Sequence, residues 1–140
     1  MIMRTTFGIL FIIILCSFEY LQKGFLKNVN VGKYSYSIFK ESKYLHDEGW
    51  NAEYFVVYQA GAKRHTCSSF LKATRNDSIF VSGDYIVYKN RIEFIEHYYY
   101  NKGTNSTDSV KNIFYPNKAG NLILKQSIRF TQKQKIINNY

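Results

Sequence analysis

The chain has 140 residues, a formal charge of +9 and an 18% share of aromatic residues. This length leaves room for one domain. Richness in Tyr, Phe, Ile and Val excludes a disordered chain and favours strands. A basic surface attracts nucleic acid, anionic lipid and acidic polymers alike, and the charges are not clustered, so charge alone selects no partner.

The N-terminus carries the pattern of a targeting segment. Arg4 and the α-amino group precede an apolar run from Phe7 to Leu15, which ends before Glu19. Such a run has the length of a signal-peptide core and is too short to span a bilayer. We therefore predict a signal peptide or hydrophobic anchor over 1–18. The protein is then exported to the periplasm, outer envelope or medium, and touches the membrane only through this segment.

Processing of this segment is open in three ways. Ser17 could occupy the last position before a cleavage site, although Leu15 is large for the position two residues earlier. Cys16 resembles the acylated cysteine of bacterial lipoproteins, although Leu15 stands where a small residue is usual. Cleavage, lipid attachment at Cys16 and an uncleaved anchor all remain alternatives. The folded domain then retains Cys67 alone and has no internal disulfide.

The remainder reads in chain order as a connector, one domain and a tail. Residues 19–31 show no strong period and are predicted to be a connector, and 132–140 a basic C-terminal tail. Between them, 32–131 alternates with period two and is broken by turn residues, including a turn at Gly83 and Asp84. The predicted strands are 33–40, 52–59, 63–72, 78–82, 85–89, 92–100, 110–115 and 122–130.

Eight short strands without a convincing helix predict an all-β, up-and-down antiparallel meander. Closing such a meander removes its exposed edges. The interior of an eight-stranded barrel is wide enough for packed side chains or for one small ligand. We therefore predict a closed or partly open barrel.

The stretch from Ser78 to Lys125 resembles small exported lipocalin-like (calycin-type) proteins of bacteria. The features that carry the resemblance are, in order, Gly83-Asp84-Tyr85 opening a hairpin, the turn Lys89-Asn90-Arg91, a long strand with Glu93 and Glu96, a strand ending in Phe114-Tyr115, the turn from Asn117 to Gly120, and a last apolar strand. The resemblance implies a barrel with a cavity and no catalytic signature.

Glu96 is the most informative polar residue of the predicted strands. Alternate residues share a face of a strand, so Phe94, Glu96 and Tyr98 point to one side. A buried carboxylate needs a partner or a raised pKa. A ligand, tyrosine hydroxyls or an arginine such as Arg64 could be that partner, whereas a bulge would turn Glu96 to water. The predicted ligand-binding residues inside the barrel are Tyr54, Tyr85, Phe94, Glu96 and Tyr98.

No catalytic constellation can be placed on this sequence. It lacks a glycine-rich phosphate loop, a nucleophile elbow and a zinc-type pairing of Cys and His. His65 and Cys67 lie two residues apart on a predicted strand and so are expected to share a face. Two ligands do not make a metal site, and a structural role is predicted for both. We predict a non-enzymatic protein without metal or cofactor.

Two functions fit these expectations. The first is a binding module that holds a small apolar or amphipathic ligand inside the barrel. The alternative is an envelope interaction protein with a filled core, whose basic, Tyr-rich surface meets a protein or a polysaccharide. The run Tyr98-Tyr99-Tyr100 could stack on bases or sugars. An exported protein rarely meets nucleic acid, so nucleic acid is not an expected partner.

Overall fold

The computed structural model describes residues 24–45, 49–100, 107–131 and 135–140. The predicted targeting segment 1–18 with Cys16, the first part of the predicted connector and residues 132–134 of the predicted tail lie outside these ranges. All regular structure within them is strand. They accordingly contain no helix long and apolar enough to cross a bilayer.

Nine strands form one antiparallel sheet in which each strand pairs with the next along the chain. This order confirms the predicted all-β antiparallel meander. In the part of the chain that is described, β1 and β9 form the two edges and do not pair with each other, so the sheet is open. The strands are β1 Gly24–Val31, β2 Tyr34–Leu45, β3 Trp50–Gln59, β4 His65–Arg75, β5 Ile79–Val87, β6 Ile92–Tyr100, β7 Thr107–Pro116, β8 Leu122–Phe130 and β9 Lys135–Asn139.

The two edge strands lie where a connector and a tail were predicted. In β1, Val29 and Val31 are buried and alternate with exposed Asn30. A bulge between Phe25 and Lys27 shifts the pairing with β2. Because a bulge breaks the period of two, the alternation in β1 is too short to be recognised in the sequence. The residues of β9 are all exposed, so that strand has no buried face to impose a pattern.

β5 is continuous, so the predicted turn at Gly83 and Asp84 is wrong. Gly83 pairs with Glu96, and Asp84 pairs with Ile95, in the middle of the β5–β6 ladder. A side chain at Gly83 would overlap the carbonyl oxygen of Phe70 in β4. The glycine therefore marks a close approach of two backbones, which is a common reason for glycine inside a strand.

The main core lies on one face of the sheet, here called the inner face. It is built from alternate residues such as Tyr36 and Ile38 of β2, whose neighbour Ser35 is exposed. Cross-strand pairing places Val57 of β3 opposite Ile38 and Cys67 of β4 opposite Val57. The buried members of this core are Val29, Val31, Tyr36, Ile38, Phe55, Val57, Cys67, Ile92, Phe94 and Leu122.

Distant turns are tied together around this core. The Gly32 amide donates to the Lys89 carbonyl over 2.7 Å, which joins the β1–β2 turn to the β5–β6 turn. The hydroxyls of Tyr34 and Tyr36 each donate over 2.6 Å to carbonyls of the β7–β8 turn, at Lys118 and Gly120. The sheet therefore curls so that its first strands meet its later turns.

A second, smaller cluster lies where β3, β4 and β5 run side by side. Ala52, Ala73 and Val81 are buried there, and larger aromatic side chains pack against them. The β4–β5 ladder covers only the pairs from Lys72–Ser82 to Arg75–Ile79. The pairing ends at Lys72, although Gly83 of β5 still lies against the Phe70 carbonyl of β4, and Glu96 lies opposite Gly83 at this end of the ladder.

Candidate functional site

Phe94, one of the five predicted interior residues, is completely buried among other rings. Its ring centroid lies 5.7 Å from that of Phe114, 6.0 Å from Phe55 and 6.3 Å from Tyr85. Phe55 and Tyr85 themselves meet edge to face at 5.0 Å. The protein's own side chains thus occupy the space on the inner face beside Phe94.

Glu96 points inward and is 7% exposed. One carboxylate oxygen accepts hydrogen bonds from the Ser69 hydroxyl at 2.6 Å and the Phe70 amide at 3.0 Å. The other accepts from the Tyr98 hydroxyl at 2.7 Å. The expected alternative, in which a bulge turns Glu96 to water, is therefore wrong, as is a pairing with Arg64, which is exposed.

The end of the β4–β5 ladder explains why a carboxylate occupies this position. The Phe70 amide lies beyond the last β4–β5 pair, so it has no carbonyl partner on β5. A buried amide without an acceptor is costly, and Glu96 supplies the acceptor. Burial raises the pKa of Tyr98, and its hydrogen bond to Glu96 adds to the effect. Tyr98 therefore stays a neutral donor.

The five predicted ligand-binding residues do not surround one space. Phe94 and Tyr85 belong to the main core, while Tyr54 and Tyr98 pack against the second cluster. Tyr54 stacks on Phe70 with centroids 5.0 Å apart, and Phe70 stacks on Trp50 at 5.7 Å. The hydrogen bonds of Glu96 reach Ser69 and two residues of the second group, Phe70 and Tyr98.

His65 and Cys67 lie on opposite faces of the sheet, contrary to expectation. A register shift places His65 opposite Tyr58 and Cys67 opposite Val57, and adjacent residues of β3 face opposite ways. Burial raises the pKa of the Cys67 thiol to about 12, although a hydrogen bond with Thr66 opposes the effect. A thiol with such a pKa is a poor nucleophile and metal ligand. Within the described ranges no three His, Cys, Asp or Glu side chains gather in a metal-binding group.

The outer face of the first four strands carries a row of rings that the sequence did not reveal. Phe25 meets Phe39 at 5.5 Å, Phe39 meets Tyr58 at 5.5 Å, and Tyr58 meets His65 at 6.4 Å. Each contact is edge to face and joins neighbouring strands. Phe25 is 55% exposed and His65 is also exposed. We call Phe25, Phe39, Tyr58 and His65 the outer aromatic row.

A groove of about 400 Å³ runs beside this row and ends at the β3–β4 turn. The polar side chains of Gln59 and Lys63 line the groove together with the rings. Arg64 is exposed and directly follows Lys63. The Tyr58 hydroxyl donates to Glu41 over 3.0 Å, which fixes the tip of its ring. The residues that line the groove are Ser37, Phe39, Tyr58, Gln59, Ala60, Gly61, Ala62 and Lys63.

A buried ion-pair cluster lies elsewhere, on the outer side of β6 and β7. Glu93 is 3% exposed, with Arg91 Nε 2.8 Å from one carboxylate oxygen and Lys111 Nζ 3.2 Å from the other. Burial acts to raise the pKa of Glu93, but Arg91 and Lys111 outweigh it, so the net shift is downward. Arg91 donates a hydrogen bond to one oxygen, whereas Lys111 faces the other as an ion pair without a well-aligned hydrogen bond. Two cations around one buried carboxylate point to a structural role.

Glu93→Gln is expected to lower the free energy of unfolding by about 2 kcal/mol at pH 7, because it removes the negative charge that accepts from Arg91 and pairs with Lys111. Since folding lowers the pKa of Glu93, its contribution is present above the ordinary glutamate pKa and is lost as pH falls through the lowered value. Urea unfolding at successive pH values should therefore show a shallower acid loss in the variant.

The control for this measurement is Glu53→Gln. Glu53 forms a more exposed ion pair with Lys40, at 3.2 Å. Such a pair contributes about 0.5 kcal/mol or less. Equal acid profiles for wild type and Glu93→Gln would contradict the role assigned to the cluster.

Comparisons with protein-family models, with characterised proteins and with solved structures found no match to this chain. The site must therefore be interpreted from its own chemistry.

Proposed function

We propose that this chain is a non-enzymatic, exported interaction domain that binds an acidic envelope polysaccharide through the outer aromatic row. The observation that carries the proposal is the row itself. Four rings from four neighbouring strands lie on the solvent side of the sheet, where they are not needed to fill the core. Export is inferred from the apolar run between Phe7 and Leu15.

The chemistry of the groove suits a sugar chain. A pyranose ring has an apolar C–H face that packs on aromatic side chains, and hydroxyls around its rim that form hydrogen bonds. The Gln59 amide lies beside Phe39 and Tyr58 and can form hydrogen bonds with those hydroxyls. The Ser37 hydroxyl, which donates to Asn28 over 2.7 Å, can accept one. Lys63 lines the groove and Arg64 follows it, which favours sugars that carry carboxylates.

The packing around Phe94 and Glu96 also favours the interaction domain over the carrier of a small ligand. The neighbours of Phe94 are rings of the protein, and the acceptors of Glu96 are occupied by donors of the protein. A small apolar ligand inside the sheet would have to displace these contacts. We therefore favour the interaction domain over the carrier of a small ligand.

Membership of a lipocalin-like barrel family remains a prediction from the sequence. The strand order, in which every strand pairs with its successor, agrees with it. A closed barrel requires in addition a pairing of the first and last strands. The proposed surface lies on β1 to β4 and does not depend on that closure.

The double variant Phe39→Ala with Tyr58→Ala is expected to weaken polysaccharide binding at least about fivefold, because buried aromatic anchors dominate binding energy. Affinity electrophoresis in gels containing polygalacturonate measures this as lost retardation. Neutral dextran should retard the wild type far less. Added salt should weaken the binding to polygalacturonate, because the basic groups are screened.

Tyr99→Ala is the matched control, since Tyr99 is 40% exposed and lies on β6, away from the row. It should leave retardation unchanged. Wild-type mobility that polygalacturonate does not alter would overturn the proposal. Equal losses in Tyr99→Ala and the double variant would also overturn it.

A further inference from the structure

Among the residues that the structure describes, β9 pairs on one side only, and its backbone groups follow a regular pattern. The Tyr140 amide donates to the Lys125 carbonyl of β8 over 2.7 Å. In an antiparallel ladder the backbone groups of alternate residues point to the same neighbour. Those of Ile136 and Asn138 therefore point to β8, and those of Lys135, Ile137 and Asn139 point to the free edge.

The two edges of the sheet differ in how they are protected. The β1 edge is interrupted by the bulge between Phe25 and Lys27, and such bulges block pairing between sheets. No register shift interrupts the β8–β9 pairing. The side chains at the centre of β9, Ile136 and Ile137, are apolar and 39% and 46% exposed. The β9 edge is therefore the open one.

The geometry points to a second copy of this chain as the occupant of the β9 edge, paired antiparallel about a two-fold axis at Ile137. In that register Ile137 lies opposite Ile137 of the second copy, and Lys135 lies opposite Asn139. Every edge-facing residue of β9 then exchanges backbone hydrogen bonds with an edge-facing residue. A two-fold contact of this kind closes on itself and forms a dimer.

Side-chain chemistry favours this register. The positive Lys135 meets neutral Asn139, and the two lysines lie roughly 13 Å apart along the strands. Cross-strand pairing aligns Ile137 with Ile128 of β8 on the outer face. Dimerisation joins these two residues to their counterparts in one apolar row and covers Ile137. A parallel self-pairing would instead bring the two lysines together.

Sedimentation of the full chain should show a monomer–dimer equilibrium. Ile137→Pro removes an edge-facing N–H and leaves the amides that face β8, so it should raise the dimer dissociation constant about tenfold or more. Ile137→Thr keeps that N–H and should change the constant less. A chain that stays monomeric at all concentrations overturns the proposal, as does a dimer that Ile137→Pro leaves unchanged or assembly beyond the dimer.

Cross-linking tests the register independently of affinity. Residues opposite each other in a hydrogen-bonded pair have Cα atoms about 5.5 Å apart, which suits a disulfide. Under oxidation, Ile137→Cys should give a linked dimer in excess of the wild type. Asn138→Cys should not, because residue 138 lies opposite residue 136. Equal linking of the two variants would contradict the two-fold at Ile137.

Discussion

Gly83→Ala is expected to lower the free energy of unfolding by about 3 kcal/mol, a large part of the stability of a domain of this size. The added methyl group would overlap the carbonyl oxygen of Phe70, and its next contacts are also backbone atoms of β4. Backbone cannot move aside as a flexible side chain can. Relief of the overlap would therefore separate β5 from β4 and stretch the bond between Glu96 and the Phe70 amide.

Gly24→Ala is the matched control in urea unfolding. A methyl group at Gly24 would meet Lys40 at an ordinary contact distance of 3.6 Å. Its backbone also has no positive φ angle. We expect a change of about 0.5 kcal/mol or less. Similar stabilities of the two variants would contradict the close packing of β4 and β5 at Gly83.

Glu96→Ala is expected to lower the free energy of unfolding by about 3 kcal/mol, because it leaves the Phe70 amide and the hydroxyls of Ser69 and Tyr98 without their acceptor. Urea unfolding measures the loss. Hydrogen exchange gives a second and local readout, since the Phe70 amide should exchange much faster in the variant.

Glu53→Ala is the matched control for Glu96→Ala, since the ion pair of Glu53 with Lys40 is much more exposed than Glu96. It should cost about 0.5 kcal/mol or less and leave exchange at Phe70 unchanged. Glu96→Gln keeps one acceptor oxygen and should fall between the two. If Glu96→Ala is as stable as Glu53→Ala, the carboxylate does not hold β4 and β6 together.

The bounds of several strands were predictable from the sequence. The last predicted strand, 122–130, coincides with β8, although a register shift between Leu124 and Gln126 puts Leu122 and Ile128 on opposite faces. The β5–β6 hairpin pairs Ile79 with Tyr100, and a turn at Asn90 and Arg91 joins its strands. In these segments the apolar runs and the turn residues between them mark where the strands begin and end, which is the part of the fold that local sequence records.

The bulges explain most of the remaining differences. In β4 one shift lies between His65 and Cys67 and another between Phe70 and Lys72. The first shift is why His65 and Cys67 lie on opposite faces. Across the second shift the buried residues Cys67, Ser69 and Ala73 keep a period of two. Bulges depend on contacts between distant strands, which the local sequence does not record.

The outer aromatic row was missed for a related reason. Ser35 and Ser37 mark the outward side of β2, and Phe39 then continues that side with a ring. In the sequence, Phe39 directly follows the core residue Ile38, so its apolar side chain gives no sign that it faces outward. Only the pairing of Phe39 with neighbouring strands shows that it lies beside Phe25 and Tyr58 on the solvent side.

The central proposal is that the ligand binds the outer face of the sheet. Its most direct test is to record the amide chemical shifts while short oligogalacturonates are titrated into the protein. We predict saturable shifts at Ser37, Phe39, Tyr58 and Lys63 around the groove. The chemical shifts of the amides beside Phe94 should not change. Shifts centred on Phe94 and Tyr85, or none at any concentration of the oligosaccharide, would contradict the proposal.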